Sequence, residues 1–489
     1  MRAPLGLLAA TVFSASAWAF GDAPYYAYDP TFNADSSLQD HFPSFSSGTV
    51  NSRGYKAARL DNGDMVMAGI VDQIGAADPA NNVGLTRYGP NGQNVAWAHP
   101  DSSHVDFDPH YLVYPNDATS YYSKIDDVVV LGGNIYVLAD CTCGGGDSNV
   151  HILGFHDDGS FIGDIPAFHT AGVPEYGAAL VPYFYPYFFP PSHFGTAYEL
   201  VAFATYNNGS RYIVTAGRWN ADEVTGELAI DSSGFGPYNN GKNDYLAPDS
   251  FCTAAADCTL IANGAVGTRT ATSAPTIYVA ATTQRQGTDE QIVLLQVDSA
   301  GNGQFVQTFG FDEAGGNLAD QSVAIAAVTG DSTADDDVYV AANVGRAGGG
   351  IGIGIVKFHG GALDTSFAGS GHTLLAGSGG DFDQPFAMTI DQGLLAIAGE
   401  HEAAASATVD PLLAVVRTAD GALVNLESYP MLNAVGYRFG TASFTSVFGN
   451  GDGRFTAGGY IIGRYTNEAN FALQRFSHDR IFRDRFDGL

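Results

Sequence analysis

The chain has 489 residues, and its 52 Asp and Glu outnumber its 21 Lys and Arg to give a formal net charge of −31 at pH 7. Such a surface repels phosphates and anionic lipid, which excludes nucleic acid as a partner. Only 15% of residues are charged while 45% are hydrophobic, with 31 Phe and 25 Tyr, so the chain is no disordered acidic tail and can bury a large core.

Residues 1–19 read as a secretory signal peptide. One Arg precedes an apolar run, and Ala17-Trp18-Ala19 sets a small-x-small cleavage site before Phe20. No later apolar stretch is long enough to cross a bilayer. The mature chain is therefore expected to be secreted or periplasmic, monomeric and without a transmembrane segment. Residues 20–478 are expected to form one domain, and 479–489 a tail that is either a final strand or a sorting motif.

Along that domain a β-rich run ending in Ala recurs. The copies are "DMVMAG" at Ala68, "IYVLAD" at Ala139, "YIVTAG" at Ala216, "IYVAAT" at Ala281, "VYVAAN" at Ala342, "LLAIAG" at Ala398 and "RFTAGG" at Ala457. An apolar strand and turn lie upstream of a copy, as in "KAARLDNGD". A strand ending in a polar turn lies downstream, as in "VGLTRYGPNGQ". The Asn-Gly, Asp-Gly and Gly-Gly pairs supply the positive φ of tight hairpins. Each unit reads as strand–turn–strand–loop–strand–turn with a less regular fourth strand, the pattern of one propeller blade. The predicted fold is all-β, a β-propeller of seven four-stranded blades.

The stretch "YDPTFNADS" (28–36) echoes "GGALDTSFAGSG" (360–371). The echo predicts that 25–50 adds a strand to the blade built from 440–478, so that N- and C-terminal strands close the ring in one blade without an exposed edge. "RIFRDRF" (480–486) is the rival for that place.

"AARLDNGDMVMAG" (57–69) and "VKFHGGALDTSFAGSG" (356–371) resemble the delta-60 repeat of secreted bacterial β-propellers, and "VVRTADGALVNL" (415–426) keeps its turn. The resemblance implies a propeller and no catalytic residues.

The candidate sites are few. His104, Asp106, Asp108 and His110 alternate in "HPDSSHVDFDPH" and would share one face of a strand, a nitrogen–oxygen set suited to a divalent metal. No other cofactor is expected. The aromatic run Tyr183, Phe184, Tyr185, Tyr187, Phe188 and Phe189, between the second and third units, offers a platform for a sugar or a protein, or a packed lid. Cys252 and Cys258 are expected to form a disulfide. Cys141 and Cys143 are a second pair whose ring would be tiny and strained, with zinc as the alternative to both. No nucleophile motif and no phosphate-binding loop occur. The function expected from these residues is binding of an extracellular glycan or protein, without catalysis. The alternative is an extracellular polysaccharide-active enzyme, metal-assisted or not.

Overall fold

The structure is a computed structural model. It describes residues 26–28, 32, 38–40, 52–73, 80–99, 109–114, 121–142, 148–170, 172–189, 193–222, 224–231, 235, 241–248, 258–268, 275–285, 290–311, 319–347, 349–375, 381–403, 408–431, 440–462 and 469–478. The signal-peptide residues 1–19, the tail 479–489 and "RIFRDRF" lie outside these.

Two short strands come first, β1 (Tyr26–Tyr28) and β2 (Leu38–Asp40). Antiparallel meanders follow. The first is β3 (Ser52–Arg59), β4 (Met65–Gln73), β5 (Ala80–Tyr88) and β6 (Tyr111–Tyr114). The second is β7 (Tyr122–Leu131), β8 (Asn134–Cys141), β9 (Asn149–His156) and β10 (Phe161–Phe168). The third is β11 (Glu175–Phe189), β12 (His193–Asn207) and β13 (Tyr212–Ala221), flanked by β14 (Leu228–Ile230) and β15 (Lys242–Tyr245). The fourth is β16 (Cys258–Thr268), β17 (Thr276–Arg285), β18 (Glu290–Val297) and β19 (Gly303–Phe309). The fifth is β20 (Asp320–Val328), β21 (Asp337–Gly345) and β22 (Ile351–His359), with β23 (Ala362–Leu363) and β24 (His372–Leu375) on β22. The sixth is β25 (Phe382–Asp391), β26 (Leu394–Glu402), β27 (Val409–Arg417) and β28 (Leu423–Ser428). The last is β29 (Thr441–Gly449), β30 (Phe455–Ile462) and β31 (Ala469–His478).

The fold is all-β, but the expectation of a closed propeller of seven separate four-stranded blades is corrected. Backbone pairing gathers the described strands into five sheets: three of four strands, one of five and one of 14. The large sheet is open, its path running from β1 to β20. Two single parallel bridges, Ile351↔Phe382 and Val409↔Thr441, merge its three meanders. One such bridge depends on how two loops bring strand ends together, which no strand pattern in the sequence encodes. β1 and β2 both pair with β31, at Tyr26↔His478 and Leu38↔Leu473, so segments from distant parts of the chain share this sheet.

The cores lie between consecutive meanders, because each sheet is apolar on both faces and needs a neighbour on each. Val137 and Ala139 pack with Val66 and Ala68, whereas Tyr136 and Leu138 on the other face pack with Leu200 and Ala202. Between β4 and β31, Met65 and Met67 pack with Phe471, Leu473 and Phe32.

The recurrent alanines Ala68, Ala139, Ala216, Ala281, Ala342, Ala398 and Ala457 are all fully buried. Ala216 is displaced relative to the rest. It lies on β13, the third strand of its meander, while the others lie on second strands. The reason is that the aromatic run is no loop. It forms the outer half of β11, paired with β12 from Tyr183↔Glu199 to Phe189↔His193. Alternating aromatics favour an extended pleated strand. Pro182 and Pro186 are tolerated because β11 is the edge strand of its sheet.

Candidate functional site: a cavity ringed by β-bulges

The first strand of each meander carries a β-bulge in the same place. The register shifts fall between Gly54 and Lys56, Ile125 and Asp127, Gly177 and Ala179, and Ala262 and Gly264. They continue between Ser322 and Ala324, Pro385 and Ala387, and Phe444 and Ser446. The residue left over in each case is Tyr55, Asp126, Ala178, Asn263, Val323, Phe386 or Thr445, and every one of them lines a single cavity of about 510 Å³. A bulge re-aims the side chain of its extra residue. Here seven of them converge from seven strands. Lys56, Asp126, Ala178, Asn263, Val323 and Phe386 also line a second chamber of about 160 Å³, so these residues form the waist between the two.

The only acid on this ring is Asp126. Its carboxylate is buried and takes Lys124 Nζ at 2.5 Å. The charge of Asp126 pushes the Lys124 ammonium up to about 12, so the lysine, about half exposed, stays cationic. Opposite the bulge, Asp140 is 4% exposed. Burial first, and then the charge of Asp126, push its carboxyl up to about 9, so it is protonated at neutral pH. The backbone N–H of Gly177, from the next meander, donates to Asp140 Oδ1 at 2.7 Å. A Cβ on Gly177 would collide with Oδ2 of Asp126, so this glycine makes room for one carboxyl and ties down the other. Asp127, next in sequence, accepts from the N–H groups of Leu180 at 2.8 Å and Val128 at 2.9 Å. Burial still raises its carboxyl above the usual range.

Elsewhere the lining is polar. The Asn263 side-chain amide donates to Thr282 Oγ1 at 2.9 Å, to Ser322 Oγ at 3.0 Å and to the Ile261 carbonyl at 3.2 Å. At the rim, Gln321 Nε2 donates to Glu290 Oε2 at 2.5 Å. The cavity is thus lined by the Asp126 carboxylate and the Lys124 cation, with Asp140 buried beside them but off the lining, by the amide–hydroxyl network around Asn263, and by Glu290.

None of Lys56, Lys124, Asp126, Asp127, Asp140 or Asn263 stands out in the sequence reading. The signal that could have found them is "SKIDDVVV", where Lys-x-Asp-Asp opens an otherwise apolar strand. Two adjacent acids on a regular strand would point to opposite faces. With the bulge, Asp126 lines both chambers and Asp127 the smaller one. The expectation of a module without catalytic groups is therefore corrected, since this cluster is equipped to hold and move a proton.

The residues singled out by sequence fare differently. His104, Asp106 and Asp108 lie outside the described residues, as do Cys143, Cys252 and the side chains of Phe184, Tyr185, Tyr187, Phe188 and Phe189. His110 is half-buried, and its carbonyl accepts from Trp97 Nε1 at 3.2 Å. Among the described residues no group of three or more His, Cys, Asp or Glu could hold a metal. Tyr183 is buried, 4% exposed, and so offers no platform. No disulfide joins two described residues, although neither Cys141 nor Cys258 is a free thiol and both are buried. Among the described residues no helix is long and apolar enough to cross a membrane.

No family model and no curated protein matches the chain, so the resemblance to the delta-60 repeat family is corrected. The chain is loosely similar in shape to several solved β-rich structures. One is a protein of unknown function from Dyadobacter fermentans DSM 18053, at 10% identity and a TM-score of 0.45 over 91% of this chain and 98% of that one. Another is the α-L-arabinanase of Penicillium chrysogenum complexed with arabinobiose, at 10% identity and a TM-score of 0.36 over 91% of this chain and 99% of that one. BamB from Moraxella catarrhalis is similar at 10% identity and a TM-score of 0.34, over 90% of this chain and 99% of that one.

Proposed function

We propose that the chain is an exported hydrolase acting on a glycan, with the bulge-ringed cavity as its active site. The observation that carries this reading is the Lys124–Asp126–Asp140 cluster, in which a carboxyl held protonated lies against one that is ion-paired. Two carboxyls that share one proton can take a proton from water and return one to a leaving group. The cation of Lys124 sits where negative charge developing on an oxygen would be stabilised. The amide–hydroxyl wall around Asn263 suits a ligand rich in hydroxyl groups.

The arrangement favours one kind of bond. Cleavage of a glycosidic link uses carboxyls on opposite sides of the sugar, roughly 5 to 9.5 Å apart. Here the two carboxyls lie on adjacent strands of one meander, β7 and β8. That geometry suits addition of water to a carbonyl, as in removal of an acyl group from a substituted sugar. Purified protein should release acid from acylated polysaccharides, read by acetate release, and Asp126→Asn and Lys124→Met should each abolish the release. Reducing ends appearing without acetate would refute acyl hydrolysis, and no product from either assay across a broad panel would refute the hydrolase reading.

A further inference from the structure

The hydrolytic cluster does not use Lys56, which occupies the neighbouring place on the ring. It follows the bulge residue Tyr55 on β3 and lines both chambers at their waist. It is half-buried, and among the described residues it makes no ion pair or hydrogen bond through its side chain. The charged groups that face it, Asp127, Lys124 and Asp126, all come from β7. Asp126 is already committed to Lys124. Asp127 is held by two backbone N–H groups.

The other three lysines of the chain differ. Lys124 is paired with Asp126, and Lys357 Nζ lies 2.9 Å from Asp364 and 3.0 Å from Asp337. Lys242 sits outside the cavity with its Nζ 5.3 Å from the ring centre of Phe168.

We propose that Lys56 is a covalent site for carbonyl compounds: a small aldehyde or ketone, such as an open-chain sugar, enters the chamber and condenses with Nζ to an imine. An amine reacts in this way only when neutral, and burial lowers the pKa of Lys56, favouring that form. The nitrogen lone pair forms the new N–C bond while the C=O π pair moves to oxygen. A proton passes from nitrogen to that oxygen, giving a carbinolamine. Loss of the hydroxyl with the second nitrogen proton releases one water and leaves C=N. Asp127, which lines the smaller chamber and faces Lys56, can relay that second proton from nitrogen to the departing hydroxyl.

Imine formation at Lys56 needs no hydrolytic activity, so it is tested apart from acyl release. The intact protein is incubated with glycolaldehyde and sodium cyanoborohydride at pH 7, the hydride of which reduces any imine to a stable secondary amine. Peptide mapping then reads each lysine. Lys56 is expected to gain the adduct before Lys124, Lys242 and Lys357: burial favours its neutral form, carboxylates hold Lys124 and Lys357 cationic, and Lys242, which burial also lowers, lies outside both chambers. Labelling of any of those three as fast as Lys56 overturns the proposal, and so does an unmodified Lys56.

Discussion

Lys124 and Asp140 are cross-strand partners on β7 and β8, yet they do not form the ion pair. The lysine instead takes Asp126, the bulge residue, at 2.5 Å. Asp140 is left to the N–H of Gly177 at 2.7 Å and to its own proton. One extra residue in β7 thus decides which carboxyl is charged.

Stability should depend on pH through Asp140. Its carboxyl rises from an ordinary 3.8 to about 9 in the folded chain. Between those values the folded state binds a proton that the unfolded state has lost, so this group's contribution weakens as pH rises through that window. Asp140→Asn keeps the acceptor for Gly177 and removes the titration. Urea midpoints measured from pH 5 to pH 9 should fall less steeply for the variant. Identical slopes would show that Asp140 is not held protonated.

Gly69 should tolerate no side chain. It faces Gly54 beside the bulge of β3, where a Cβ would collide with the carbonyl of Arg53 and the ring of Phe471. Gly69→Ala is expected to cost about 1–3 kcal/mol in overpacking. Gly163→Ala is the control, because a Cβ there meets nothing within 4 Å. Thermal melts should separate the two variants, and equal melting temperatures would refute the close approach.

Phe32 should anchor the N-terminal strands. It is 2% exposed, and the Arg475 guanidinium of β31 sits 4.8 Å from its ring centre. Arg475 Nη1 also reaches the Pro90 carbonyl at 2.7 Å, which ties β31 to the first meander. Phe32→Ala should destabilise by about 3–5 kcal/mol, the usual cost of emptying a buried aromatic site. A neutral result in chemical denaturation would mean that 26–40 merely rests on β31.

The cysteines have a direct test. We propose that Cys252 and Cys258 are joined in the exported protein. A non-reduced digest should yield the linked peptide by mass spectrometry. Alkylation of both thiols without prior reduction would remove the idea.

The sequence by itself determined that this chain is all-β and where its strands turn, because short recurrent apolar runs and Gly-containing turns are local properties. It also marked the cavity without naming it. The residues facing the bulges are Gly69, Ala139, Ala204, Ala281, Ala342, Gly399 and Gly459, all of them Ala or Gly. The recurrent Ala and Gly noticed in the sequence are largely these positions and their neighbours. They are small because a bulged partner strand crowds them, and in the third meander the marker is Ala204, not Ala216. Only the tertiary structure decided the rest. Sheet membership turned on two single bridges. The site turned on the displacement of seven side chains by one residue each, which placed Lys56, Asp126 and Asn263 around a common space although they are far apart in the chain. The protonation of Asp140 turned on its burial and the charge of Asp126 beside it. Hydrogen-bond register and desolvation are properties of strands already packed together, and for that reason neither can be read from the order of residues.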